Sequence, residues 1–263
     1  MRKMAWLVAV VLLFGLYGCD SGSKEGAGQT KSADKVELTI SAAASLQEAL
    51  AEAKTAFERK HPNIRIQYNF GASGALQKQI SEGAPVDLFF SAAAEPFEEL
   101  KKEGLNRFQT RKHRARQRAG AHRSETRRRA IQSLDGLTRA KRVAIGIPES
   151  VPAGMYAKQT LEKAGLWEQV KAKLVYAKDV RQVLTYVETG NVDAGFVYRT
   201  DALVSDNVKI AAAVPSGMHD PIVYPLGVVK TSKHLKEARE LYDYLTSEQA
   251  LQLFEQHGFR PSR

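Results

Sequence analysis

Stretches with the two-residue repeat of a β-strand alternate along this chain with stretches that have the spacing of an α-helix. Residues 36–40 and 64–70 show the strand repeat, and residues 46–57 between them place apolar side chains about one helical turn apart. The alternation resumes in the second half, with strand-like runs at 143–147, 174–176 and 194–198. Successive parallel strands need a crossover connection, which a helix usually supplies. The sequence therefore predicts an α/β fold in which mostly parallel sheets are flanked by helices.

The first 18 residues have the pattern of a leader, with Arg2 and Lys3 ahead of an apolar run that ends at Gly18. The run is shorter than the ~20 apolar residues of a membrane-spanning helix and is typical of a secretory signal peptide. It resembles a bacterial lipoprotein signal, in which cleavage leaves Cys19 carrying lipid. A plain secretory signal with an incidental cysteine is the alternative, and both predict export. Residues 19–35, rich in Ser, Gly and Lys, are expected to be a flexible tether.

Cys19 is the only cysteine in the 263-residue chain, and the six histidines lack the spacing of metal ligands. The composition therefore excludes a disulfide framework and a thiolate cluster, and no metal site or cofactor is expected. After removal of the leader, roughly 245 residues remain, enough for two domains of moderate size.

Most of the positive charge lies in one segment. Nine arginines and Lys112, against the single acid Glu125, fall between residues 107 and 130, so this stretch carries nine of the ten net positive charges of the chain. A basic chain would otherwise suggest nucleic acid or an anionic membrane as partner. Here the basic character belongs to an insert-like stretch rather than to the fold.

Several strand-to-helix junctions carry a small or hydroxylated residue where the helix begins: Ser45, Ser73, Ala153 and Val180. In an open parallel sheet such junctions lie beyond the carboxyl ends of the strands, where ligands bind. Helix N-termini offer unpaired amides and a positive dipole end, and a serine hydroxyl adds a donor without bulk. The pattern predicts a site for a small oxyanion that is held by neutral hydrogen bonds.

The same residues also have purely structural interpretations. Ser45 and Glu48 fit the capping box S-x-x-E, and ordinary turn chemistry would account for Ser73 in a loop with two glycines. Core packing would account for Tyr198 at the end of a strand. The occurrence of several such junctions in one chain favours the ligand site.

Six motifs, in one order, resemble the molybdate-binding proteins of bacterial ABC importers and cover nearly all of residues 36–259 except the basic stretch. They are residues 41–46 (SAAASL), 70–73 (FGAS), 82–92 (EGAPVDLFFSA), 148–158 (PESVPAGMYAK), 178–181 (KDVR) and 196–202 (FVYRTDA). The resemblance implies a two-lobe fold of the periplasmic-binding-protein type, type II, with a hinge. It further implies capture of molybdate, and usually of tungstate, outside the cytoplasmic membrane and delivery to an ABC-type permease.

By this resemblance, five uncharged residues bind the oxyanion. Ser45 and Ser73 would donate from side chain and backbone, Ala153 and Val180 from backbone N–H groups, and Tyr198 from its phenol. None of them would ligate a metal cation directly, because molybdenum would be held as molybdate. No residue is assigned a catalytic role.

The expected first lobe comprises residues 36–106 and 224–263, and the expected second lobe comprises residues 107–223. The two chain crossings between them would form a hinge that closes the lobes around the donor-lined cleft. The protein is expected to be a monomer, held at the outer face of the cell membrane by lipid on Cys19. Its expected partners are the oxyanion and the permease, with no nucleic acid.

Residues 107–129 depart from the family pattern, which has a strongly apolar strand here that crosses into the second lobe. No Val, Ile, Leu, Met, Phe, Tyr or Trp occurs from residue 109 to residue 130, so no buried strand is expected there. One hypothesis is that two compensating insertions or deletions in the gene place this stretch in the wrong frame. The other is a genuine basic insert that contacts anionic lipid headgroups or nucleic acid.

A hydrolase with Ser45 or Ser73 as nucleophile is the competing class of protein. The sequence has no G-x-S-x-G motif, and no histidine falls in a recognisable triad context. Among binding proteins, sulfate, phosphate or an organic anion is the alternative ligand. The sequence therefore predicts an oxyanion-binding protein without enzymatic activity.

Overall fold

The structure is a computed structural model that describes residues 35–105, 112–113, 119–124 and 131–260. These residues belong to one unit, Asp34–Arg263. The predictions of a leader at 1–18, of lipid on Cys19 and of a tether up to residue 34 fall outside the described ranges. Within those ranges, each helix is too short or too polar to cross a membrane.

Strands and helices alternate along the described ranges, as the sequence pattern predicts. The strands are β1 (Val36–Ala43), β2 (Ile64–Gly71), β3 (Leu88–Phe90), β4 (Lys112–His113), β5 (Ala119–Ser124), β6 (Val143–Gly146), β7 (Leu174–Ala177), β8 (Ala194–Tyr198), β9 (Val208–Ala213) and β10 (Tyr224–Val228). The helices are α1 (Gln47–Lys60), α2 (Ser73–Ser81), α3 (Ala94–Lys102), α4 (Pro152–Lys163), α5 (Trp167–Val170), α6 (Val180–Glu188), α7 (Arg199–Leu203), α8 (Leu235–Leu245) and α9 (Glu248–Gln256). Short 3₁₀ turns also cover Ala44–Leu46, Asp135–Arg139 and Lys171–Lys173.

The strands form two five-stranded sheets. The first sheet has the order β2-β1-β3-β10-β4, and the second has the order β7-β6-β8-β5-β9. In the first sheet, β1 pairs in parallel with β2 and β3, while β10 is antiparallel to β3 and β4. In the second, β6 pairs in parallel with β7 and β8, while β5 is antiparallel to β8 and β9. The α/β architecture with parallel strands flanked by helices is therefore confirmed, and each sheet adds two antiparallel pairs to its two parallel ones.

Two strands lie within the basic stretch, where the sequence predicts no buried strand. Lys112–His113 pairs with β10 in the first sheet, and Ala119–Ser124 lies between β8 and β9 in the second. The chain therefore passes from the first sheet to the second between these strands. A ladder is built from backbone N–H and C=O groups and forms without apolar side chains. The expectation that no strand here is buried concerns side chains that lie outside what the structure describes.

Helices cover the sheets with one apolar face each. In α1, Leu50 and Phe57 are fully buried at helical spacing against the first sheet. In α6, Val183 and Val187 lie one turn apart and pack on Gly195 of β8, where a Cβ would approach their methyl groups to within 2.7 and 2.9 Å. The absence of a side chain on this strand residue lets the helix lie close to the sheet.

A second close approach fixes the helix that follows β6. A Cβ on Gly154, in the first turn of α4, would lie 2.0 Å from the carbonyl oxygen of Gly146 at the end of β6. Backbone atoms cannot move aside as a flexible side chain can. Only glycine at position 154 therefore allows α4 to begin directly over the end of its strand.

We expect Gly154→Ala to destabilise the protein, because the added methyl group meets backbone. Overpacking of this kind costs about 2 kcal/mol or more, equivalent to a fall in Tm of roughly 4–8 °C for a chain of this size. The matched control is Gly71→Ala, whose Cβ would meet only the Leu76 side chain at an ordinary distance of 3.5 Å. Calorimetry of both variants checks the prediction, and equal melting temperatures would contradict it.

Candidate functional site

One small cleft at the carboxyl ends of the parallel strands brings the five sequence-predicted site residues together. Ser45 and Ser73 reach it from the turns after β1 and β2 of the first sheet. Ala153, Val180 and Tyr198 reach it from the ends of β6, β7 and β8 of the second sheet. Each of the five is at most 4% exposed. Both sheets thus contribute to one buried site.

The first turns of helices form much of the cleft wall. Ser73 is the first residue of α2, Ala153 the second of α4 and Val180 the first of α6. Ser45 lies in the 3₁₀ turn that leads into α1. Amides in a first turn have no partner within the helix, and the helix dipole makes this end positive. The cleft therefore gathers backbone donors and partial positive charge from four chain segments, an arrangement that suits an anion.

The side chain of Ser45 does not cap a helix, so the capping-box interpretation is wrong. Neither the 3₁₀ turn nor α1 has a side-chain hydrogen bond at its N-cap. Instead, Ser45 Oγ lies 3.0 Å from the phenolic oxygen of Tyr224 in β10. When Tyr224 donates in this bond, the Ser45 hydroxyl keeps its own proton for a ligand.

Ser73 begins a helix, so the interpretation as an ordinary turn residue is also wrong. Its Oγ accepts a hydrogen bond from the backbone N–H of Ala92 at 2.9 Å. This bond fixes the side-chain orientation and leaves the hydroxyl proton available. Ser73 therefore offers the cleft one side-chain donor and the first amide of α2.

Tyr198 is buried, as a core aromatic would be, but its hydroxyl group is unsatisfied. The side chain is 1% exposed, and its oxygen makes no hydrogen bond of normal geometry with the described residues, although the Tyr224 phenol lies beside it. Burial, and then the neighbouring Tyr224, raise the pKa of Tyr198 well above its ordinary value, so the phenol keeps its proton. An unsatisfied buried hydroxyl costs about 1–3 kcal/mol, and a ligand oxygen in the cleft would remove that cost.

The size and charge of the cleft restrict its ligand. It contains about 210 Å³ of empty space, including the part open to solvent, and its walls are close together. Of the described residues that line it, none is Asp, Glu, Lys, Arg or His. In the same ranges, no group of three or more His, Cys, Asp and Glu residues could hold a metal ion. The cleft is therefore a small, neutral, donor-rich site.

Charged groups lie behind the cleft wall and connect its two sides. Arg181, the second residue of α6, forms an ion pair with Glu48 of α1. Its Nε is also 3.0 Å from Oδ1 of the fully buried Asp201, and Oδ2 of Asp201 accepts from the backbone N–H of Tyr198 at 3.1 Å. Burial raises the pKa of Asp201 to about 7, and the Arg181 guanidinium opposes part of that rise.

A second, larger groove of about 460 Å³ lies beside the cleft. Glu95, Glu99 and Glu149 line it, against the single ammonium group of Lys78. Three carboxylates repel an anion, and one lysine does not compensate for them. The groove is therefore a poor anion site, although it is the larger of the two.

Sequence reasoning missed three residues that support the site: Tyr224, Arg181 and Asp201. Tyr224 is 179 residues from Ser45, and Arg181 is 133 residues from Glu48. No local spacing indicates such contacts. Arg181 and Asp201 do lie within motifs that carry the family resemblance, but the motifs alone assign them no role.

Sequence similarity relates this chain to a bacterial protein family and to named relatives. The chain matches the family model "Bacterial extracellular solute-binding protein" over residues 38–260. It is 48% identical over 98% of its length, and 98% of the relative, to YvgL of Bacillus subtilis (strain 168), provisionally named an ABC transporter substrate-binding lipoprotein. It is 35% identical to "Molybdate-binding protein ModA" of Escherichia coli (strain K12), over 86% of this chain and 90% of that one.

Among solved structures, the fold matches the substrate-binding domain of a provisionally assigned molybdenum ABC transporter from Clostridium difficile. The TM-score is 0.66 with 38% sequence identity, over 87% of this chain and 100% of that one. This similarity confirms the predicted periplasmic-binding-protein fold. Together with the match that extends over residues 38–260, it means that the chain belongs to the bacterial extracellular solute-binding protein family.

Proposed function

We propose that this protein captures molybdate outside the cytoplasmic membrane and delivers it to the permease of an ABC importer. The curated relative named for molybdate binding and the solved molybdenum-transporter domain support the choice of ligand. The five residues proposed to bind it are Ser45, Ser73, Ala153, Val180 and Tyr198. No reaction of the ligand is part of the proposal, because the family consists of solute-binding proteins.

The unsatisfied phenol of Tyr198 is the observation that carries this proposal. A buried hydroxyl without a partner is unusual in a folded protein. This one lines a cleft whose other donors are first-turn amides and two serine hydroxyls. A tetrahedral oxyanion offers acceptor oxygens in several directions and would satisfy donors from both sides of the cleft at once.

The chemistry of the cleft also discriminates among oxyanions. Phosphate retains part of its protons at neutral pH, and a bound proton needs an acceptor such as a carboxylate. No carboxylate belongs to the described lining of the cleft, so the proton of phosphate would meet no charged acceptor there. Molybdate, tungstate and sulfate are fully deprotonated at this pH and accept only. Sulfate is the alternative ligand, and size distinguishes it from the two larger ions.

Two further parts of the proposal concern movement and location. The elements of the first sheet and those of the second would act as two lobes that close on the ion, with the two chain crossings as hinge. Lipid on Cys19 would hold a monomer at the outer face of the membrane, near its permease. The lipoprotein name of the Bacillus subtilis relative supports this location.

The proposed function is tested by titration calorimetry of the mature protein with molybdate, tungstate, sulfate and phosphate. We expect binding of molybdate and no binding of phosphate at the same concentration. We expect Ser45→Ala and Tyr198→Phe each to weaken molybdate binding about 10- to 100-fold, since a hydrogen bond to a charged group contributes roughly 1.5–3 kcal/mol.

The matched control is Ser81→Ala, at the exposed end of α2, which should bind as the unmodified protein does. A folded protein that binds none of the four ions contradicts the proposed function. Tight binding of sulfate with no binding of molybdate contradicts the choice of ligand. A hydrolytic activity that requires Ser45 or Ser73 would favour the enzyme class instead.

Anion binding should weaken as the pH rises through about 7, because Asp201 then becomes negative behind Tyr198. Its pKa is raised by burial, so the carboxyl group is neutral below this pH and charged above it. We expect molybdate to bind several-fold more tightly at pH 6 than at pH 8, and Asp201→Asn to remove most of that difference. Calorimetry at the two pH values measures it, and an unchanged pH dependence in the variant would contradict the assignment.

A further inference from the structure

We infer that Arg181 is a positioning residue that couples closure of the cleft to retention of the anion. The inference rests on the proposed function and extends it, because Arg181 itself does not line the cleft. Its side chain reaches across the cleft to α1 and also holds the strand end that carries Tyr198. Both connections depend on one guanidinium group.

The first connection joins the two sides of the cleft. Glu48 lies in the first turn of α1, one helical turn after Ser45, whereas Arg181 directly follows Val180. Their ion pair therefore links the start of α1, next to the proposed donor Ser45, to the start of α6, which presents the proposed donor Val180. Separation of the two sides would break it.

The second connection lies within the elements of the second sheet. Arg181 Nε approaches Asp201, and the other oxygen of Asp201 accepts from the backbone N–H of Tyr198. An exposed ion pair has little effect on stability, but only 19% of the Arg181 side chain is exposed, and Asp201 is fully buried. The guanidinium is thus held in place from one side while it pairs across the cleft on the other.

A backbone hydrogen bond at the rim of the cleft also joins its two sides. The N–H of Gly74 in α2 donates to the carbonyl oxygen of Ser150, before α4, at 3.0 Å. A Cβ on Gly74 would lie 2.8 Å from that oxygen. The structure therefore shows the two sides in contact through backbone atoms as well as through the charged pair Glu48 and Arg181.

The test replaces Glu48, the partner of Arg181 on α1, and leaves Arg181 and its contact with Asp201 intact. We expect Glu48→Gln to increase the dissociation rate of molybdate about 5- to 20-fold, measured by stopped-flow fluorescence of the mature protein. The association rate should change less than twofold, since the donors themselves remain. Glu52→Gln is the control, because Glu52 lies one turn further along α1 and contacts His257 instead.

The outcomes separate this inference from the proposed function. If the unmodified protein binds no oxyanion, the proposed function fails, and small-angle scattering of the ligand-free proteins still tests the connection. There we expect a larger radius of gyration for Glu48→Gln than for Glu52→Gln. If molybdate binds but both variants release it at the same rate and scatter alike, Arg181 has no coupling role.

The codons of the strand in the basic stretch can encode an apolar sequence in a shifted reading frame. Ala119–Ser124 lies inside the second sheet, between β8 and β9, a position that is normally apolar in a sheet covered by helices. If codons 119–123 all end in thymine, reading them one base later gives Leu-Val-Leu-Ile-Val. Reading them two bases later gives no such run, whatever the third bases are.

We propose that the codons of residues from about 107 to 129 are now read one base away from the reading frame in which they once encoded an apolar β5. Read one base later, codons 119–123 cannot give a stop codon. If the codon of Ser124 is TCC, the shifted frame continues with proline. The shifted frame would thus place an apolar run at β5, inside the second sheet. The nine arginines of the stretch would then be a product of the frame rather than a lipid- or nucleic-acid-binding surface.

The nucleotide sequence of the gene tests this second proposal. We expect thymine at the third position of codons 119–123 and an uninterrupted apolar run in the shifted frame. Other bases that give proline, glutamine or arginine there would overturn it. A variant with the frame restored should also melt at a higher temperature than the present chain, and an equal or lower Tm would count against the proposal.

Discussion

The structure depends on the convergence of helix N-termini at the carboxyl ends of parallel strands. A parallel strand must be followed by a crossover, and each crossover places the first turn of a helix at the same end of the sheet. In this chain the two sheets present these ends to one cleft, so first-turn amides near Ser73, Ala153 and Val180 lie together. The donors are a consequence of the fold itself, and serine and tyrosine hydroxyls complete them.

Neutral donors form the cleft wall, while the charged residues stand one layer behind it. Arg181 compensates Glu48 and Asp201, and the raised pKa of Asp201, about 7, leaves that acid only partly ionised near neutral pH. The anion would therefore meet little full charge of either sign. In the proposed function, shape, size and the number of donors are therefore the variables that would select a ligand.

Local sequence patterns predicted the elements well and the side-chain contacts poorly. The strand and helix repeats placed β1, α1 and β2 correctly, because periodicity depends only on neighbouring residues. The capping interpretation of Ser45 was wrong because its partner, Tyr224, comes from a distant strand. The two strands of the basic stretch were not predicted for a related reason, since pairing partners on β8, β9 and β10 supply the backbone hydrogen bonds.

The sequence by itself determined the alternating α/β class, the junction residues Ser45, Ser73, Ala153 and Val180, and the neutral character of the predicted site. Only the tertiary structure decided that these junctions line a single cleft, that the Tyr198 hydroxyl is left without a partner among the described residues, and that Arg181 reaches both Glu48 and Asp201. The physical reason is the distance along the chain over which each kind of interaction acts. Helix and strand propensities act over a few residues, whereas a binding site is assembled by contacts between segments more than a hundred residues apart.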